Sequence, residues 1–149
     1  AYFVSGSEDE FANLMNEKAE ELSMNNTHFD NASGLHSNNN YTTVSDLSKL
    51  LLYSLDDGDF KAIFTSSKHK TFNGLNFEST FYKTIKSHNI SNNYILGAKT
   101  GYTGEAGLCL ASYGEKNGNE YIVITANAKG DHYSKQNHIL DTNYIFENL

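Results

Sequence analysis

Residues 107–127 read GLCLASYGEKNGNEYIVITAN, and this stretch decides the fold. Gly107 to Tyr113 and Glu120 to Asn127 are two runs of strand-forming residues. Between them stands Asn117-Gly118, a pair in which both residues tolerate positive φ, so the two runs predict a tight antiparallel hairpin. Just upstream, Tyr94 to Thr100 reads as a third strand. Farther upstream the texture from Phe60 onward is β-like: Ile63-Phe64, then Thr71-Phe72 and Phe77 to Tyr82 about a turn at Asn73-Gly74.

Helical signals flank this region. Ser7 with Glu10 forms a capping box ahead of Phe11, Leu14, Met15, Ala19 and Leu22. Thr43 with Asp46 caps a second helix, whose expected stripe is Val44, Leu47, Leu50, Leu51 and Leu55 and whose stop is Gly58. Asp131 to Leu149 predicts a closing helix with Tyr133, Leu140 and Tyr144 on one face, and polar Ser23 to Tyr41, turning at Gly34, predicts a long surface loop. Ala1 to Val4 reads as the last turn of an apolar helix. Helices, then an antiparallel sheet, then a helix give an α+β class with helices packed on the sheet, in one domain spanning 1–149.

Composition narrows the function. The chain has 149 residues and a formal net charge of −7, with eleven lysines and no arginine. A nucleic-acid binder normally carries a basic, arginine-rich surface, so that class is not expected. No apolar run is long enough to span a membrane and no signal peptide opens the chain. The single cysteine, Cys109, rules out an internal disulfide and a thiolate zinc cluster, and its place between Leu108 and Leu110 suits a small buried filler. The six histidines lack metal-ligand spacing and are expected at the surface. Nineteen asparagines beside lysine and no arginine suggest an AT-rich genome.

The chemistry-bearing stretch is Gly97-Ala98-Lys99-Thr100-Gly101-Tyr102-Thr103-Gly104. It is not a P-loop, because the lysine follows alanine and a strand comes next; it is not a dinucleotide fingerprint, because Gly101, Gly104 and Gly107 contain no Gly-x-Gly. Lys-Thr-Gly on a sheet edge suits anion binding: an ammonium and a hydroxyl meet a substrate carboxylate, and the glycine lets a ligand approach the backbone. Composition alone yields about 0.06 such triplets in a chain of this make-up.

GAKTGYTGEAGLCLAS (97–112), FANLMNEKAEELSMNNTHF (11–29) and NASGLHSNNNYTTVSDLSKL (31–50) resemble, in order, segments of the penicillin-recognising D-alanyl-D-alanine carboxypeptidases. The resemblance implies the β-lactamase/transpeptidase-like fold and a serine peptidase that removes the terminal D-alanine of peptidoglycan pentapeptides by acyl-enzyme chemistry, outside the cytoplasm, without a cofactor or metal, and inhibited as the complete enzyme by β-lactams. It implies roles for Lys99 (charge), Thr100 (carboxylate hydrogen bond), Gly101 (close approach) and the Tyr102 backbone N–H (one oxyanion donor), and places Ser33, Gly34 and Leu35 in a loop bordering the cleft. Ser67-Lys68-His69-Lys70 fits the family's Ser-x-x-Lys only as a string, since that motif opens a helix upstream of the segment resembling Phe11. The Ser-x-Asn strings at Ser23, Ser37 and Ser91 lie in polar loops. The resemblance therefore implies the C-terminal portion of a peptidase domain, lacking nucleophile, base and membrane anchor, and inactive by itself. On that view the Glu120 to Asn127 strand is an open edge that pairs with a second copy or with Phe77 to Tyr82. The alternatives are a non-catalytic peptide- or partner-binding domain and a β-lactamase or esterase on the same scaffold.

Overall fold

The computed structural model describes all 149 residues, which divide into two compact units, Ala1–Leu50 and Leu51–Leu149.

The first unit opens with a single helical turn, α1 (Tyr2–Ser5), closed by Gly6 at φ 83°, a left-handed cap that glycine adopts without penalty. α2 (Glu8–Glu21) follows. Ser7 Oγ accepts the Glu10 N–H at 3.0 Å, and three acids in the first turn complement the helix dipole. Its buried face runs through Ala12 and Ala19, whereas Leu14, expected in the stripe, is exposed. Asn16 turns the helix this way: its side chain donates to the Phe29 carbonyl and accepts the Phe29 N–H, both at 2.8 Å, so the face holding Ala12, Asn16 and Ala19 meets the loop. That loop, read from the sequence as polar and exposed, buries Met24 and is pinned by one β-bridge, His28 to Tyr41.

α3 (Val44–Leu55) starts at Thr43, whose Oγ1 accepts the Asp46 N–H at 3.1 Å. Val44 is exposed and Leu51 buried. Asp46 is itself buried, and accepts from Lys49 Nζ, the Asn26 N–H and the Thr27 hydroxyl. The lysine contact foremost, then the backbone and hydroxyl donors, hold its carboxyl below the usual range.

The second unit departs from the sequence reading first. Gly58 does not end a helical region but begins α4 (Gly58–Phe64), because Asp57 accepts the Phe60 N–H at 2.8 Å and caps a new helix. Ile63-Phe64 is therefore helical. β1 (Lys68–Lys70) and β2 (Asn76–Glu78) form a short hairpin in the register His69↔Phe77, with Gly74 at φ 88° in its turn. The expected strand Phe77–Tyr82 ends at Glu78, and α5 (Thr80–Ser87) takes over. Phe81 faces the core with Tyr82 and Ile85 beside it, so burial at helical spacing overrides the strand preference of these side chains.

β3 (Ile95–Thr103), β4 (Gly107–Lys116) and β5 (Asn119–Ala128) form an antiparallel sheet in that order. Asn117 and Gly118 take φ 55° and 77°, the double left-handed turn expected of them. Ala98, Leu110 and Val123 share one face and pack with Phe81, Ile139 and Phe146 in the core. The opposite face carries Tyr113, whose hydroxyl donates to Glu120, while Lys61 of α4 sits 3.2 Å from the same carboxylate and 4.7 Å above the tyrosine ring. Burial raises the phenol, and its hydrogen bond together with Lys61 lowers Glu120. Cys109 is half-buried on this second face, not a core filler.

β5 pairs with β4 alone, and Phe77–Tyr82 does not fill its other side. Ser112 Oγ donates to the Val123 carbonyl at 2.7 Å, which points that peptide toward β4. By strand alternation the Ile122 and Ile124 peptide groups face the unpaired side.

The closing helix α6 runs from Asn137 to Glu147. It starts late because Asp131 accepts the Tyr133 and Ser134 N–H groups and holds a turn. Tyr133 and Tyr144 are exposed; His138, Ile139, Thr142 and Phe146 are the buried face. His138 overturns the expectation of surface histidines. It is 2 % exposed, its Nδ1 has no hydrogen-bond partner, and burial lowers its pKa. The unfolded chain therefore takes up a proton that the native chain resists, and stability is complete above the ordinary value of 6.5 and falls as pH drops below it. Denaturant midpoints measured from pH 7.5 to 5 should decline in the wild type and decline less in His138→Gln.

Candidate active-site strand

β3 is an outer strand, hydrogen-bonded to β4 on one side. Its register sets Lys99 opposite Ala111, Thr100 opposite Leu110, Gly101 opposite Cys109 and Tyr102 opposite Leu108. Lys99 and Gly101 thus share one face, and Thr100 and Tyr102 the other. Lys99 is exposed, and its ammonium donates to the Thr100 carbonyl at 2.5 Å. A carbonyl reached in this way lies on the unpaired edge, and Tyr102, two residues on, presents its N–H to the same side.

Thr100 is half-buried. Its Oγ1 lies 2.8 Å from Oγ1 of Thr80, the first residue of α5. Tyr82 of the same helix donates its hydroxyl to the Leu96 carbonyl at 2.8 Å, so two side chains moor α5 to β3. Tyr102 meets His132 edge-on, ring centroids 4.7 Å apart. Neither the Thr80 nor the His132 contact is legible in the sequence. The two residues lie 20 and 30 residues from the strand positions they touch, and no local pattern announces either.

The glycines separate structural need from open space. A Cβ on Gly97 would lie 2.6 Å from the Phe64 carbonyl oxygen, and one on Gly114 2.4 Å from that of Tyr94 and 2.8 Å from the Phe146 ring. Both positions require glycine for packing. A Cβ on Gly101 would meet only the Cys109 Cβ, at an ordinary 3.8 Å, and the backbone there is not left-handed. The chain's own packing does not demand glycine at 101.

Ser33, Gly34 and Leu35 belong to the first unit, in a tight exposed turn. Asn31 Oδ1 accepts the Gly34 N–H at 2.9 Å and the Ser33 hydroxyl at 3.1 Å, and Gly34 has φ 75°. Ser67 stands immediately before β1 and Lys70 ends it. Side chains three apart on extended backbone point to opposite faces, so these two do not form a nucleophile–base pair.

The model of the D-alanyl-D-alanine carboxypeptidase family matches residues 1–130. The chain belongs to that family. Among curated relatives, the D-alanyl-D-alanine carboxypeptidase DacF of Bacillus subtilis is 32% identical over 130 residues, which cover 86% of this chain and 33% of DacF. The D-alanyl-D-alanine endopeptidase of Escherichia coli is 31% identical over 146 residues, 97% of this chain and 46% of that protein. The chain therefore spans a third to a half of the length of these relatives. Penicillin-binding protein D2 of Listeria monocytogenes, solved with ampicillin bound, superposes with a TM-score of 0.79 at 27% identity over 98% of this chain and 57% of its own. The Streptomyces K15 DD-transpeptidase shares the fold, with a TM-score of 0.75 at 23% identity over 94% of this chain and 55% of its own. The α+β arrangement of helices on an antiparallel sheet is thus that of the penicillin-binding transpeptidases.

In chemical denaturation Gly101→Ala should leave the unfolding free energy within about 1 kcal/mol of wild type. Gly114→Ala should cost about 1–3 kcal/mol through overpacking.

Proposed function

We propose that this chain carries the carboxylate-binding and oxyanion strand of a serine-type D-alanyl-D-alanine carboxypeptidase that trims peptidoglycan pentapeptides outside the cytoplasm. The observation that supports it most is β3 itself: an open strand edge with an exposed lysine, a hydroxyl and a glycine that packing does not require, in a chain whose family is known. Lys99 supplies positive charge and Thr100 a hydrogen bond to the terminal carboxylate of the substrate. Gly101 admits the ligand backbone. The Tyr102 N–H stabilises the tetrahedral oxyanion, the second donor being the N–H of the nucleophile itself. β-Lactams, which present a carboxylate beside a reactive carbonyl, inhibit the complete enzyme at the same strand; the Listeria relative was solved with ampicillin and with cefotaxime bound. No helix of the chain is long and apolar enough to cross a membrane.

Acyl transfer also needs a nucleophilic serine and a base, and the one Ser-x-x-Lys string here lies at an extended strand. The 149 residues by themselves bind without acylating. Intact-protein mass spectrometry after incubation with a penicillin should show no covalent adduct on this chain; a stoichiometric adduct on Ser67 overturns the assignment. In the full-length gene product, Lys99→Ala should slow acylation by roughly 10–150-fold, the loss of one charge-assisted contact, at an unchanged melting temperature. Unchanged acylation with a lowered melting temperature makes Lys99 structural.

The open side of β5, apolar and free of proline and lysine from Tyr121 to Thr125, supports two-fold pairing of Glu120–Asn127 between two copies of this chain. Light scattering at rising concentration should show a dimer, and Ile124→Lys should abolish it.

A further inference from the structure

Thr100 has one side-chain partner, and it is a hydroxyl. A hydroxyl offers one proton and two lone pairs, so the 2.8 Å bond between Thr80 and Thr100 can run in either direction. When Thr100 gives its proton to an anion at the strand edge, the bond can persist only with Thr80 as donor. Thr100 Oγ1 then accepts from behind and donates forward, and each bond polarises the other. Its neighbour across the ladder, Leu110, is fully buried and offers no competing polar group.

Thr80 is well placed for this. Its hydroxyl makes no bond to its own helix, and the N-cap residue Ser79 likewise makes no side-chain cap. The next residue, Phe81, is wholly buried in the core, and Tyr82 is bonded to the Leu96 carbonyl. Thr80 is therefore fixed by its neighbours and spends its one side-chain hydrogen bond on the motif threonine.

We propose that Thr80 is a positioning residue for substrate binding: by donating to Thr100 Oγ1 it holds the Thr100 rotamer and directs the Thr100 proton toward the substrate's terminal carboxylate. This rests on the reading of β3 as the carboxylate-binding strand.

The test uses the full-length gene product and calorimetric binding of N-acetyl-D-alanyl-D-alanine and of its C-terminal amide, with melting temperatures, for wild type, Thr80→Val, Thr80→Ser and Thr100→Val. Thr80→Val should weaken binding of the acid by roughly 3–10-fold, the worth of one hydrogen bond, and leave the amide unchanged. Thr80→Ser should restore the acid to within about twofold of wild type. Thr100→Val should weaken the acid at least as much as Thr80→Val. If Thr100→Val is effective and Thr80→Val silent, or if Thr80→Val weakens acid and amide alike, the role of Thr80 is overturned and the strand reading stands. If Thr100→Val is silent, or wild type binds neither ligand, the strand reading itself fails.

Discussion

The register of β3 on β4 is the constraint on which the rest depends. Gly101 opposite Cys109 places Lys99 on one face and Thr100 on the other, with the Tyr102 N–H on the open edge. A slip of one residue exchanges the two faces, burying the lysine and turning the threonine away from α5. The register is held by the bulge between Ile95 and Gly97 and by the reversal through Thr103 and Gly107, where the left-handed glycine at 107 sits 3.0 Å (measured from its would-be Cβ) from the Ala128 carbonyl. The core then locks it, because only in this pairing do Ala98, Leu110 and Val123 line up beneath Phe81, Ile139 and Phe146.

The same pairing explains a division of labour among polar groups. On the second face, Lys61, Tyr113 and Glu120 satisfy one another and tie α4 to the sheet. Lys99, on that face but farther along the strand, has only the backbone carbonyl of its neighbour as hydrogen-bond acceptor. A lysine paired with a carboxylate is committed to structure. One resting on a neutral carbonyl keeps its charge available, because an incoming carboxylate offers it a stronger bond.

Much of this was legible in the sequence where the cause is local. Asn117-Gly118 declares the hairpin, Ser7 and Thr43 declare two helices, and short contiguous segments carry the family likeness. What was misread depended on distant partners. Gly58 looked like a stop because glycine ends many helices, but Asp57 beside it caps a new one. Residues 80–82 looked extended because threonine and aromatic side chains favour strands, yet the hole that Phe81 fills is built by β3, β4 and α6. The helical face of α6 was misassigned because two tyrosines outweighed His138 and Thr142 in the pattern, while the fold buries the latter. Thr80 was invisible for the same reason: its meaning lies in a residue twenty positions away.

The crowding around the glycines is unequal along β3. At its beginning the strand is clamped: Gly97 lies against the Phe64 carbonyl, and Gly114, beside it on β4, against Tyr94 and Phe146, with no slack for even a methyl group. Toward its far end the crowding is gone: a Cβ on Gly101 would make one ordinary contact at 3.8 Å, and one on Gly104, in the turn just past the strand, none within 4 Å. The room for a side chain on β3 thus opens over the stretch from Gly97 to Gly101, about 13 Å at the rise of an extended strand.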